Sequence, residues 1–170
     1  MAELPRGLRN NNPGNIIHTA NGKLLAPYIG EVRPTIDSRF RTFKTMVYGY
    51  RALILLLHTY IKRGNNTIEK IINTWAPPIE NATSNYIKTV VFKTGINKDT
   101  IIKITDTDKI KSIAKAISEV ENGRPADEKQ INEAYALIIT PEKKNNNFFL
   151  LPIIYIIIIG GIYYNATTNR

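Results

Sequence analysis

The stretch "VYGYRALILLLHTYIKRG", residues 47–64, predicts the central helix of the protein. Its apolar and aromatic side chains recur at intervals of three and four residues, which places them on one face of an α-helix. A glycine at position 64 favours a helix end there. We therefore expect an amphipathic helix that buries one face in a core. The side chains on that face are Val47, Tyr50, Ile54, Leu57, His58 and Ile61.

Four further helices are expected downstream of this one. Each begins at a hydroxyl or carboxylate residue that can accept a hydrogen bond from the first turn, and each encloses apolar residues at helical spacing. The expected starts are Thr67, Thr83 or Ser84, Asp106 or Thr107, and Asp127. The total is about five helices after the N-terminal region.

The first 43 residues have a different character, because proline and glycine interrupt every apolar run. Short extended pieces fit between these breaks, and "SRFRTFKT" (38–45) is typical of a strand. We expect a small N-terminal β-hairpin or irregular sheet. The residues alone therefore predict a mainly α fold with a minor sheet.

Composition limits the classes of function. The 170 residues include no cysteine, and the two histidines, His18 and His58, are far apart in the sequence, so no zinc centre is expected. No other metal and no organic cofactor are implied. The net charge of +9 is scattered rather than clustered. It indicates first a solvated surface and second attraction to an anionic partner. Without a basic cluster, no nucleic-acid partner is expected.

The C-terminal segment "FFLLPIIYIIIIGGIYY" (148–164) contains no charged residue. As a helix it would span about 25 Å, slightly less than a hydrocarbon core of ~30 Å. Lysines precede it and tyrosines end it, as in membrane anchors. We expect a domain over 1–140, a polar linker over 141–147 and a single transmembrane helix over 148–166. A buried strand or core helix is the alternative for this segment.

One glutamate stands out on the helix that ends at Asn122-Gly123. Each helical residue advances by about 100°, so Ile110, Ile117 and Glu121 fall on one apolar stripe, whereas Glu119 lies on the opposite face. An apolar setting and a helix C-terminus both favour the neutral form of a carboxyl group. Such an acid can protonate a glycosidic oxygen. The alternative is a glutamate at a frayed helix end that points into water.

Several segments around this glutamate resemble bacterial wall-degrading enzymes. "AISEVENG" (116–123) resembles the helix end that carries the catalytic glutamate in lysozyme-like lytic transglycosylases and glucosaminidases. "NNPGNI" (11–16) is similar to the asparagine-rich hairpin that follows this helix in autolysin-type glucosaminidases, and "RFRTF" (39–43) matches the strand that comes next. "ENATSNYIKTV" (80–90) resembles their tyrosine helix at the cleft. The resemblance implies an α+β lysozyme-like fold.

A closer resemblance runs over roughly residues 5–139. The segments "RGLRNNNPGNI", "GYRALILLLHTY" and "TIEKIINTWAPPIENATSNYI", together with "ENG" at 121–123, resemble virion-associated structural or lytic proteins of phages and prophages that share the RNNNPGN motif. The glutamate helix precedes the hairpin in the glucosaminidases but follows it here. A circular permutation would reconcile the two orders. Without permutation, Glu3 becomes the competing acid.

Together with the expected C-terminal anchor, which lies outside the resemblance, these resemblances imply a membrane-anchored enzyme of a phage virion. It would cleave peptidoglycan glycan strands, with Glu121 as general acid/base. Asn12 and Asn15 offer amides suited to sugar hydroxyls or N-acetyl groups, or serve only to form the turn. Tyr86 either orients the reacting sugar or packs in the core. Trp75 and Tyr60 are interpreted as core residues.

A second carboxylate would decide the type of reaction. Glu80 and Asp37 are the candidates, although Glu80 is interpreted first as a helix-capping residue. Without a second carboxylate, the transglycosylase route is preferred, because groups of the substrate itself then attack. The expected partners are peptidoglycan, a lipid membrane contacted by residues 148–166 and other virion proteins. The expected location is the virion membrane or the host inner membrane. The alternative function is a non-enzymatic virion structural or wall-binding protein.

Overall fold

The computed structural model describes residues 3–20, 22–77 and 82–140. Within these ranges the chain is mainly helical, with six helices and one two-stranded antiparallel sheet. The elements in chain order are α1 (Arg6–Arg9), β1 (Thr19–Ala20), β2 (Lys23–Leu24), α2 (Met46–Lys62), α3 (Ile68–Trp75), α4 (Ala82–Thr94), α5 (Thr107–Asn122) and α6 (Glu128–Ile139).

Helix α2 forms the centre of the core. It packs against α3, α5 and α6, while α4 packs against α3 and α5. Its buried face carries Leu53, Ile54 and Leu57, which are at most 1% exposed. Isoleucines supplied by α3 and α5 fill the space opposite, so the helical stripes seen in the sequence meet one another in a single apolar cluster.

Local capping explains where three of the helices begin or end. The Thr67 hydroxyl accepts a hydrogen bond of 3.2 Å from the backbone N–H of Lys70, and the Asp127 carboxylate accepts one of 2.9 Å from Lys129 N–H. Gly123 ends α5 in the left-handed conformation, with φ of 61°. These contacts supply partners to helix-terminal groups that the helices themselves leave unpaired.

The N-terminal turn, residues 10–15, lies between α1 and the hairpin. Hydrogen bonds of the buried Asn12 side chain stabilise this turn. Asn12 is fully buried, accepts a hydrogen bond from Ile16 N–H, and donates to the carbonyls of Ile16 and Arg41. The turn also lies directly against the start of α2. A Cβ atom at Gly49 would stand 2.0 Å from the carbonyl oxygen of Asn11, so only glycine permits this approach.

The predicted N-terminal sheet is smaller than expected. Strands β1 and β2 form a hairpin of two residues each, and the segment 38–45 contributes isolated bridges, Ile17 to Phe40 and Glu31 to Phe43, instead of a strand. Side chains hold this region in place of a backbone ladder. Glu31 and Arg41 form a buried ion pair, and Arg41 also donates to the carbonyls of Ile17 and Ala26.

The predicted fold class needs correction. The α+β lysozyme-like class with about five helices and a C-terminal transmembrane helix is wrong, because the described residues form a mainly helical fold of six helices with a very small sheet. None of the described helices combines the length and the apolar composition that crossing a membrane requires. Within the described residues, this finding stands against the predicted single-pass anchor and the membrane location. The expected linker (141–147) and anchor (148–166) lie outside the described residues.

Candidate active site

The carboxylate of Glu121, near the end of α5, accepts hydrogen bonds from three separate parts of the chain. The Asn15 amide donates to Oε2 at 3.0 Å. The indole N–H of Trp75 and the hydroxyl of Tyr86 donate to Oε1, at 3.1 Å and 3.0 Å. Three of the predicted site residues, Glu121, Asn15 and Tyr86, therefore lie together. The fourth member of the group is Trp75, which the sequence analysis interprets as a core residue.

The N-terminal turn is fastened to the end of α5 beside Glu121. The buried Asn122 side chain donates to the carbonyl of Pro13 at 2.9 Å and to that of Ser118 at 2.8 Å. Asn15 itself has a φ of 48°, the left-handed region that asparagine adopts more readily than most residues. This backbone geometry, together with the Asn122 contact, sets where the Asn15 amide lies.

The indole of Trp75 is held on two sides. A Cβ atom at Gly14 would stand 2.8 Å from the indole Cη2 atom, so the ring lies directly against the backbone of the turn. Tyr60 packs on the ring edge-to-face, with centroids 6.4 Å apart and planes at 73°. Trp75 is the last residue of α3, and the position of that helix therefore fixes the donor that faces Glu121.

Tyr86 reaches Glu121 from α4. Burial, the negative charge of Glu121 and the hydrogen bond between them raise the pKa of Tyr86 well above its usual range. The hydroxyl therefore remains protonated at neutral pH. A neutral tyrosine both donates and accepts hydrogen bonds, so it can remain bonded to Glu121 whether or not the carboxyl group carries a proton.

Glu121, Asn15 and Trp75 border an open cleft of about 480 Å³, and Tyr86 reaches Glu121 from outside its lining. Its wall combines polar groups with aromatic and cationic side chains: Asn15, Arg39, Phe40, Tyr60, Trp75 and Glu121. Of the described residues, Glu121 is the one carboxylate in this wall. The cleft can accept a ligand of a few rings with polar substituents, and places an acidic group at its side.

The remaining predicted site residue, Asn12, does not contact this cleft. Its amide is fully buried, and the hydrogen bonds to Ile16 and Arg41 occupy it. The position indicates the turn-forming role that the sequence analysis gave as the alternative.

The other candidate carboxylates are engaged elsewhere. Asp37 accepts hydrogen bonds from Arg6, Asn10 and two backbone N–H groups. The Arg6 guanidinium in particular, against the opposing effect of burial, holds the pKa of Asp37 well below its usual range. Glu3 is exposed and pairs with Arg9. Glu80 lies outside the described residues.

A larger cavity of about 550 Å³ lies between α5 and α6 and is unrelated to Glu121. Its charged groups pair with one another, Lys93 with Glu119 at 2.7 Å and Lys115 with Glu128. Although burial acts in the opposite direction, the Lys93 ammonium and a backbone N–H lower the pKa of Glu119. These two pairs neutralise four of the charged side chains of this cavity. We therefore place the candidate site at Glu121.

Metal ligands are not grouped anywhere in the part of the chain that the structure describes. No set of three or more histidine, cysteine, aspartate or glutamate side chains there is arranged to hold an ion.

No protein-family model matches the chain. A curated protein, "Protein P5" from Pseudoalteromonas phage PM2, is 43% identical over 122 residues, which cover 71% of this chain and 73% of that protein. This similarity associates the chain with bacteriophages.

Proposed function

We propose that this chain cleaves peptidoglycan glycan strands in a phage function, with Glu121 as general acid/base. The chain belongs to the family of Protein P5 from Pseudoalteromonas phage PM2. The observation that carries the proposal is the convergence of Asn15, Trp75 and Tyr86 on one carboxyl group in the wall of an open cleft. Three donors from three elements are more than a helix end needs for stability.

In the proposed reaction the Glu121 carboxyl group acts twice, first as an acid and then as a base. Protonated Glu121 gives its proton to the glycosidic oxygen as the bond from that oxygen to the sugar C1 breaks. The resulting carboxylate then takes a proton from the hydroxyl that attacks C1, which returns Glu121 to its acid form. Tyr86 accepts a hydrogen bond from the acid and donates one to the carboxylate, so Glu121 stays oriented in both states.

The attacking hydroxyl is proposed to belong to the substrate. Within the described residues that line the cleft, Glu121 is the one carboxylate, whereas the usual inverting and retaining routes of hydrolysis use two. A lytic transglycosylase needs only one acid/base, because a hydroxyl of the cleaved sugar closes on its own C1. This reaction leaves an anhydro sugar end, and we propose it ahead of muramidase or glucosaminidase hydrolysis.

The cleft wall suits an N-acetylated sugar chain. Trp75, Tyr60 and Phe40 offer ring surfaces for the apolar faces of sugars, while Asn15 offers an amide for hydroxyl or N-acetyl groups. The sequence resemblance to lytic transglycosylases and glucosaminidases supports the same substrate. Asn122 donates to the carbonyl of Pro13, so the two segments that carry this resemblance lie side by side.

The test is an assay of the full chain on purified peptidoglycan. We expect the wild-type protein to clear a zymogram band and to release products with anhydro ends by mass spectrometry. Glu121→Gln should abolish clearing and leave the far-ultraviolet circular dichroism spectrum unchanged. Glu119→Gln, two positions earlier on the same helix and outside the cleft, serves as the matched control and should retain activity.

Each result separates the alternatives. Products with reducing ends instead of anhydro ends would contradict the transglycosylase route while keeping the enzyme. Wild-type protein that sediments with peptidoglycan but releases no product would favour the non-enzymatic wall-binding protein. Activity retained by Glu121→Gln would refute the role of this carboxyl group.

A further inference from the structure

Arg39 is a cation on the cleft wall without an anionic partner in the described part of the chain. Its side chain is exposed, and its guanidinium lies 5.2 Å from the centre of the Phe40 ring. In the described part of the chain, Arg39 donates to a side chain through its backbone N–H, which bonds to the Asp37 carboxylate. The five guanidinium N–H groups are therefore available to a ligand.

The neighbouring arginines make the contrast clear. Arg6 pairs with Asp37, Arg9 with Glu3, and both Arg33 and Arg41 with Glu31. Each of these cations has an anionic partner within the fold, and none of the four lines the cleft. The residue that lines the cleft is the one whose charge is left uncompensated.

The position of Arg39 is fixed although its head group is free. The Asp37 carboxylate accepts hydrogen bonds of 2.9 Å from the backbone N–H groups of both Arg39 and Phe40. The Arg39 carbonyl accepts one from His18 N–H, and the Phe40 ring supports the guanidinium plane. These contacts fix the backbone from which the exposed Arg39 side chain reaches the cleft.

We propose that Arg39 forms an anionic subsite that binds a carboxylate on the peptide stems of peptidoglycan. This inference rests on the proposed function, since it names the part of the wall polymer that gives the cleft its specificity. Peptide stems carry free carboxylates and branch from the same sugars that Glu121 is proposed to act on. A planar guanidinium pairs with a carboxylate through two parallel hydrogen bonds. Arg39 is thus a specificity residue that recognises substituted strands.

The experiment compares two substrates on the full chain: intact glycan strands and the same strands stripped of peptide by an amidase. We expect Arg39→Gln to raise KM about tenfold on intact strands with kcat unchanged, because the contact stabilises substrate and transition state equally. On stripped strands the variant should match wild type within about twofold. Arg63→Gln removes one positive charge at the end of α2, outside the cleft, and should change neither substrate.

The possible failures are distinguishable. Equal effects of Arg39→Gln on both substrates, or no effect on either, would overturn the anionic subsite while activity of the wild type upholds the proposed function. If the wild type is inactive on both substrates, the proposed function is refuted. The anionic subsite is then tested by measuring ligand binding. Trp75 is the only tryptophan in the chain, so its fluorescence reports on the cleft. We expect the wild type to bind the disaccharide-peptide about tenfold more tightly than Arg39→Gln does, and both proteins to bind the bare disaccharide equally. Any other outcome of this comparison would show that the inference is wrong.

Discussion

The amide of Asn15 and the carboxylate of Glu121 are 106 positions apart in the sequence and are joined by a hydrogen bond of 3.0 Å. This bond connects the N-terminal turn to the end of α5. It places Asn15, whose backbone has the left-handed conformation, against the Glu121 side chain in the wall of the cleft. The proposed site therefore depends on the docking of the turn as much as on the helix.

Replacing Asn15 tests that dependence. Asn15→Gly removes the amide, while glycine tolerates the φ of 48° without strain. A hydrogen bond to a charged group contributes about 1.5–3 kcal/mol, so we expect kcat to fall roughly tenfold to hundredfold. Peptidoglycan turnover by the full chain measures this effect.

Asn11→Gly provides the matched control. Asn11 has nearly the same φ, 49°, but its amide donates to the carbonyl of Phe43, away from the cleft. This variant should lose about 1 kcal/mol of unfolding free energy and retain kcat. If the two variants lose activity equally, the Asn15 amide has no special role.

Tyr86→Phe deletes one donor to Glu121 and keeps the ring. The half-buried carboxyl group of Glu121 then loses the partner that can accept as well as donate, and we expect kcat to fall about tenfold. Tyr135→Phe removes a comparable hydroxyl, which bonds to Thr107 at 2.8 Å. Both variants should lower the melting temperature by a few degrees, but Tyr135→Phe should leave kcat unchanged. An unchanged kcat in Tyr86→Phe would contradict a catalytic role.

The sequence predicts a helix end when the hydrogen-bond partner of that end is only a few residues away in the chain. Thr67 and Asp127 cap within three residues, so the sequence indicates these starts directly. Thr83 was a candidate cap for α4, but its hydroxyl donates to the carbonyl of Ala76 and the helix begins at Ala82. Helix α1, Arg6–Arg9, has a single turn and no side-chain cap, and periodicity cannot reveal so short an element.

The candidate site was predictable to a similar extent. Helical spacing is local, and it places Glu121 on the apolar stripe before any tertiary contact is known. The proximity of Asn15 and Tyr86 was expected from resemblance alone, because no pattern in the residues indicates it. The contact with Trp75 depends on how α3 packs against the turn, and a tryptophan at the end of an apolar helix is equally typical of a core.

Asp37 should make the folding stability pH-dependent. Its pKa in the folded state lies below the value of about 3.9 for an unfolded aspartate. The folded protein therefore binds fewer protons at this group, and the stabilisation is present above about pH 4 and disappears as the pH falls further. Asp37→Asn should lower the melting temperature at pH 7, and the difference from wild type should narrow from pH 5 to pH 2.

Asp108→Asn is the control for this titration. Asp108 is 96% exposed and pairs with Lys111 on the helix surface, so its removal should shift the melting temperature little at any pH. A constant difference between wild type and Asp37→Asn down to pH 2 would show that the Arg6–Asp37 pair does not stabilise the fold through charge.

Gly14→Ala tests whether the turn positions Trp75. The added methyl would stand 2.8 Å and 2.9 Å from two atoms of the indole ring, and 3.1 Å from Leu53, so the ring or the turn must shift. We expect a loss of about 1–3 kcal/mol of unfolding free energy and a change in tryptophan fluorescence. In a Trp75→Phe background the ring atoms that clash are missing, and the same substitution should cost at least 1 kcal/mol less. Additive losses in this double-mutant cycle, measured by urea unfolding, would show that Gly14 and Trp75 are not coupled.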